Sequence, residues 1–319
     1  MSDHLYSDIP DSQKFLTAEQ ISSPDSSILN NLDITYVLNV SPYTRYVSNG
    51  TSLKTILSID SDEYLMLRQS EKYFFAGWGR DHINTYAGWY DMSGNENNAT
   101  LQASLDAATV WATEGLFTIP DPTGTTALAE LPAIDFDYTN GQSILIFWRG
   151  FATPEASDYA LLGDTGVGTT STTTGFNVIV SSAGKLKFWI RDSSGTLFAS
   201  GTSATTCFSA SVEHSIGVVL DGLTNKYCLW VDGVRESAFA SSYLTFSSGN
   251  IPDDTTGGRT LKIGGNNRVT SGNQEGVACQ TRAMHILRSA AGEGGPVDAD
   301  NIILNLHKNS QKLVSAQDW

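Results

Sequence analysis

The chain has 319 residues, 40% of them hydrophobic and 17% charged, a composition that places it among folded proteins with a substantial core. Its 34 acidic against 19 basic residues leave a net charge of −15, a surface that phosphate backbones repel, so direct nucleic-acid binding is set aside. No run of about eighteen apolar residues is present, so no membrane insertion is expected, and the opening MSDHLYSDIPDSQKF has neither the basic start nor the apolar run of a signal peptide.

In chain order, residues 1–31 are polar and carry Pro10 and Pro24, and they read as an arm, with a short helix expected near Thr17 to Ile21. Residues 32–75 read as a small β unit. Ile34 to Val40 is a strand candidate, and Thr44–Ser48, Asn49-Gly50 and Thr51–Leu57 read as a hairpin, because Asn-Gly supplies the positive φ angles of a tight turn. Residues 69–88 are rich in aromatics, which predicts core or inter-domain packing. From residue 76 to 319 the chain reads as one sandwich with a short C-terminal helix. Leu101 to Glu114 is expected to hold a strand or a helical turn. Strands are predicted at Ser143–Arg149, Gly175–Val180 and Lys185–Arg191; in the last, Leu186, Phe188 and Ile190 share one face while Lys185, Lys187, Trp189 and Arg191 share the other.

His214 to Gly233 carries the plainest pattern. Ile216, Val218 and Leu220 recur at period two, and so do Tyr227, Leu229 and Val231, with Cys228 and Trp230 opposite. Asp221 to Asn225 joins the two runs and Asp232-Gly233 closes the second. After Gly292 to Pro296, Asp298 or Asp300 is expected to cap a helix carrying Ile302, Ile303 and Leu306 at helical spacing.

The order of a His-led strand, an Asp-Gly loop, a strand ending Val231-Asp232-Gly233 and then Leu261-Lys262-Ile263-Gly264-Gly265 resembles the concanavalin A-like, laminin-G-like sandwich family. Trp89 to Leu101, with Asp91-Met92-Ser93-Gly94-Asn95-Glu96-Asn97, is similar to the opening of many such domains. Ala133–Tyr138 followed by Ser143–Trp148 resembles the family's early strand pair, and Pro296–His307 its closing helix. The matches cover roughly residues 80 to 310. They imply a mainly β fold, a concanavalin A-like antiparallel β-sandwich (jelly roll) preceded by the arm and the small hairpin unit. A second resemblance spans about a dozen residues: TRYVSNGTSLKTI is similar to short hairpins of phage tail and head appendage proteins.

The family includes lectins, adhesion modules, glucanases and virus surface proteins, so chemistry must be read from residues. Its glucanases place a Glu-x-Asp-x-Glu cluster on one strand so that paired carboxylates flank the bond; here only Asp135-x-Asp137 approaches that, and no enzyme activity is expected. The five histidines are scattered, and His214 and His285 read as packing residues. Cys207, Cys228 and Cys279 show no metal or redox spacing, and their odd number points to synthesis in a reducing compartment. Asp91, Asn95, Asn97 and Asn98 offer hard oxygens that suit Ca2+, but the low charge favours a hydrogen-bonded turn with no required cofactor. Trp111, Trp189 and Trp230, with Asn266, Asn267 and Arg268, are the glycan-binding candidates: flat faces for stacking and polar groups for hydroxyls.

These features lead to a non-enzymatic structural protein of a bacteriophage virion, made in the host cytoplasm without a signal peptide. It would show the sandwich at the virion surface as a capsid decoration or tail-fibre adhesion module for glycans. Residues 1–75 would contact other virion proteins, and the assembly would be a homo-oligomer such as a trimer. The alternatives are a free carbohydrate-binding lectin and a glycanase.

Overall fold

A computed structural model describes residues 13–16, 31–37, 43–49, 53–59, 73–78, 88–89, 91, 95, 97–102, 105–111, 116–120, 129–134, 141–163, 175–191, 197–239, 244–245, 259–265, 276–289 and 299–310. In chain order the strands are β1 (Gln13–Leu16), β2 (Asn31–Val37), β3 (Tyr43–Asn49), β4 (Leu53–Ile59), β5 (Tyr73–Trp78), β6 (Gly88–Trp89) and β7 (Ala99–Leu101). Then come β8 (Phe117–Ile119), β9 (Ala129–Ile134), β10 (Ser143–Ala152), β11 (Tyr159–Gly163), β12 (Gly175–Val180), β13 (Lys185–Arg191) and β14 (Leu197–Thr206). The last six are β15 (His214–Asp221), β16 (Lys226–Val231), β17 (Val234–Arg235), β18 (Leu244–Thr245), β19 (Arg259–Ile263) and β20 (Cys279–Arg288). Among the described residues, two helices, α1 (Ala107–Val110) and α2 (Ala299–Asn309), and a 3-10 turn at Ser237–Phe239 accompany these strands. None of the described helices is long and apolar enough to cross a membrane.

The protein is mainly β, and its core is a sandwich of two antiparallel sheets. One sheet runs β17-β16-β15-β10-β20-β5, with β18 beside β16 and β8 beside β20; the other runs β14-β13-β12-β11-β19-β9-β7-β6. Alternation decides which side chains meet between them. On the first sheet Ile146, Val218 and Leu229 are register partners and fully buried, and on the second Val178 and Phe188 are paired and equally dry. Aromatic rings lock the layers together. Phe188 lies 5.5 Å from Tyr227, Trp89 stacks on Phe117 at 4.5 Å, and Phe75 meets Trp89 edge-on at 5.3 Å.

The hairpin expected at His214–Gly233 forms as β15 and β16, with Asp221 paired to Lys226. The Asp221 carboxylate accepts the N–H groups of Leu223 and Thr224, which closes the loop. Asp232 (φ 51°) and Gly233 (φ 75°) turn the chain into β17, as the Asp-Gly pair predicts. In β13, Leu186 and Phe188 are fully buried while Lys185, Lys187 and Trp189 are half-buried on the opposite face.

α2 covers the outer face of the first sheet. Gly217, on β15, lies so close beneath it that a Cβ would sit 2.7 Å from Ile303 Cδ1. Asp300 does not act as the expected cap. Its carboxylate instead accepts the indole N–H of Trp230 (2.8 Å) and pairs with Arg235. Asp298 and the helix expected at Thr17–Ile21 lie outside the described residues.

Two boundaries differ from the expectation. Gln13–Leu16, read as part of the arm, is a strand that pairs in parallel with β2. Four residues are too few to show a period, and the partner strand supplies the hydrogen bonds. Together β1 to β4 make a four-stranded sheet that shares no strand with the sandwich, and its β3–β4 hairpin is the one expected around Asn49-Gly50. The expected junction at 75/76 falls inside β5, which pairs with β20 and whose Phe75 is fully buried. The sandwich therefore begins no later than Tyr73.

Candidate binding face

The outer face of the second sheet gathers polar and aromatic side chains into one row. Cα partners share a face, so the register can be followed from strand to strand: Trp189 on β13 opposes Asn177 on β12, and Asn177 opposes Gly163 on β11. Gly163 opposes Lys262 on β19, Lys262 opposes Glu130 on β9, and Glu130 opposes Thr100 on β7. Six strands thus contribute one residue each to a line across the sheet. The opposite side chains of the same strands, such as Phe176, Val178, Leu261 and Ile263, fill the core.

The chemistry changes along the row. At one end Trp189 packs over Ala160 and Ile179, which form a small apolar patch separate from the main core. At the other end Lys262 pairs with Glu130, which also accepts a hydrogen bond from Gln102 Nε2 (2.6 Å). Burial pushes the Glu130 carboxyl up, but hydrogen bonds from Lys262, Thr260 and Gln102 outweigh it and hold the group below the usual carboxylate range. Beside Trp189, Lys187 is neutralised by Asp158 at 2.7 Å.

The middle of the row is unusual. Asn177 is fully buried, and neither its Nδ2 nor its Oδ1 hydrogen-bonds to any described residue. Its amide lies over Gly163, where a Cβ would collide with Oδ1. The glycine therefore serves as the space in which the amide rests.

Of the described glycan-binding candidates, Trp189 lies on this face. Trp230 faces α2 on the first sheet instead: it is fully buried, and its indole N–H is given to Asp300 of that helix. Trp111 is half-buried and edge-on to Phe117 at 5.3 Å, at the margin of the core. Asn266, Asn267 and Arg268 lie outside the described residues, as do Asp135 and Asp137. In the Asp91 loop, Oδ1 accepts the Ala76 N–H (2.9 Å) and Oδ2 the Asn97 N–H (3.1 Å). Asn98 Oδ1 accepts the Asp91 N–H (2.8 Å), and Asn97 Nδ2 donates to the Phe74 carbonyl. Asn95 is exposed. These bonds tie the loop to β5, and no group of three potential metal-ligating side chains occurs among the described residues.

A second polar cluster underlies the C-terminal end of α2. Glu213 takes hydrogen bonds from Arg149 (3.0 Å) and Arg282, the latter brought round by a register shift in β20. Arg149 also donates to the His307 carbonyl (2.8 Å), while His307 Nδ1 lies 2.8 Å from Ser215 Oγ and His214 pairs with Asp232. Burial and the nearby Arg149 hold His307 below its ordinary value. With Ser215 1% exposed, this cluster is a helix anchor rather than a hydrolytic site. Cys207, Cys228 and Cys279 are free and buried, which pushes each thiol up to about 12 and makes it a poor nucleophile.

No family profile and no curated protein matches the chain. Among solved structures it is similar to the CBM40 of a Ruminococcus gnavus IT-sialidase bound to alpha2,3 sialyllactose, at 15% identity over 52% of this chain and 83% of that one, with a TM-score of 0.40. The binding domain of botulinum neurotoxin serotype D gives 11% identity, 75% and 52% coverage and a TM-score of 0.49. A Trypanosoma rangeli sialidase in complex with 2,3-difluorosialic acid gives 10%, 89% and 45%, and 0.47. Likenesses this distant carry no argument about what the chain binds.

Proposed function

We propose that the sandwich is a non-enzymatic, concanavalin A-like glycan-binding module that binds on the outer face of the second sheet. The observation that carries this reading is the Trp189–Asn177–Gly163–Lys262–Glu130 row. An aromatic ring, an amide and a partly buried ion pair lie along one row of adjacent strands, the mixture that recognises a sugar's C–H face together with its hydroxyls. Hydrolysis would need two carboxylates flanking a bond about 5–9.5 Å apart. On this row Glu130 is the one described carboxylate, and it is held by Lys262.

The module belongs, in this proposal, to a bacteriophage virion, as a capsid decoration or tail-fibre adhesin. The TRYVSNGTSLKTI resemblance and a separate N-terminal sheet available for docking support that placement. Other virion proteins would hold residues 1–75, and the display would be homo-oligomeric. A glycan array probed with the full chain tests the binding. Wild type should bind at least one glycan without releasing reducing ends, and Trp189→Ala should lose that binding; an array with no bound glycan would defeat the reading. Immunogold labelling of purified particles tests the placement, and label confined to free protein would favour a free lectin.

A further inference from the structure

Building on the proposed glycan-binding face, we infer that Asn177 is its ligand-reading group and that the ligand is a neutral pyranose glycan presenting a free pair of vicinal hydroxyls. A carboxamide that is fully buried and makes no hydrogen bond to any described residue lowers the stability of the fold that contains it. Among the described residues, Thr118 Oγ1 and Asn225 Oδ1 are also buried without a described hydrogen-bond partner, but of these three side chains Asn177 is the one flanked on its own face by an aromatic ring and by a glycine. The amide offers an N–H donor and a C=O acceptor about 2.3 Å apart on one planar group, and two adjacent hydroxyls match that pair: one accepts from Nδ2 while its neighbour donates to Oδ1. The two described lysines near the amide each already hold a carboxylate, which favours a neutral ligand over an acidic one at this point of the row. Lys262 is paired with Glu130, and Lys187 with Asp158. The ring of Trp189, set over Ala160 and Ile179, supplies the apolar surface for a sugar face.

The amide is enclosed, so a sugar reaches it by displacing the side chains around it. Trp189 is the register partner of Asn177 and is half-buried, so a ligand that reaches the amide changes the surroundings of the ring. Binding should therefore change indole fluorescence, and Trp189→Phe should remove most of that change.

The test uses the full chain and three arms. First, lactose and sialyllactose are compared by calorimetry alongside the neutral glycans that score on the array. Second, the methyl glycoside of the best-bound sugar is compared with its monodeoxy derivatives. Third, Asn177→Leu replaces the amide by an apolar group of similar shape, which should leave the melting temperature unchanged or raise it while weakening binding about tenfold or more. The inference expects neutral glycans to bind as well as or better than sialylated ones, with affinity lost when either hydroxyl of one vicinal pair is removed. Wild-type affinity in folded Asn177→Leu, tighter binding of sialyllactose than of lactose, or indifference to every deoxy derivative would each overturn it while leaving a glycan-binding module in place. If Asn177→Leu does not fold, the deoxy series on the wild-type chain decides alone. Absence of binding to every glycan overturns the inference and the proposed function together.

Discussion

Glu213 is held between Arg149 and Arg282, and its charge decides whether those two cations keep a partner. Burial pushes this carboxyl up, but the hydrogen bonds from both guanidiniums pull it below its usual value, and neighbours do the same for Glu130 and Asp300. A carboxyl that is depressed in the folded chain takes up protons first in the unfolded one. Its stabilising effect is complete above the ordinary carboxylate pKa, and is lost as pH falls through the lower folded value. His307 is also depressed, so the unfolded imidazole protonates first once pH drops below about 6.5. We expect urea midpoints to fall gently from pH 6.5 to 5 and steeply below 4.5, with His307→Gln removing the gentle part. Glu213→Gln should cost about 1–3 kcal/mol at pH 7, less than a fully dry pair because the side chain keeps 20% exposure. Asp91 behaves as a backbone tie. Asp91→Ala should cost about 1–3 kcal/mol by stranding the Ala76 and Asn97 N–H groups. A chelator should leave the wild-type melting temperature unchanged, and a large drop with chelator would restore the metal reading.

At the scale of elements, α2 is seated by shape as much as by bonds. Gly217→Ala would push a methyl into Ile303, and overpacking of this kind costs about 1–3 kcal/mol. Ile303→Val on the same background should recover part of that loss, and additive penalties in the double-mutant cycle would show that the two residues do not compete for space. The hairpin at His214–Gly233 was legible because its residues are local and period two survives in them. The helix over that hairpin explains why Trp230 misled. Alternation assigns a side chain to the outer face but not to solvent, and α2 comes from a segment 70 residues later. The binding row was illegible for a related reason. Its members lie on strands scattered from Thr100 to Lys262, and the register that aligns them depends on two irregularities, at Ala160/Leu162 and Thr260/Lys262. Asn177, inside a correctly predicted strand, carries no sequence signal that its amide has no described partner.

For the whole molecule, the question is where the independently folding unit begins. Strands β1 to β4 share no hydrogen-bonded neighbour with the sandwich, whereas β5 is one edge of its first sheet and contributes Phe74, Phe75 and Ala76 to the core. Removing β5 would uncover the β20 edge along Ala283–Leu287 and take Phe75 away from Trp89. The loss of Phe75 alone forfeits about 2–3 kcal/mol of burial, and an open strand edge invites self-association. The unit should therefore be cut between Ile59 and Tyr73, not at Trp78. A fragment of residues 61–319 should unfold in one cooperative thermal transition near that of the full chain's sandwich. A fragment of residues 78–319 should melt well below it or precipitate. If docking resides in the N-terminal sheet, the longer fragment will keep glycan binding yet fail to join particles that lack the protein. Equal incorporation of the fragment and the full chain would move the docking surface onto the sandwich. Equal melting of the two fragments would show that β5 is dispensable despite its buried side chains.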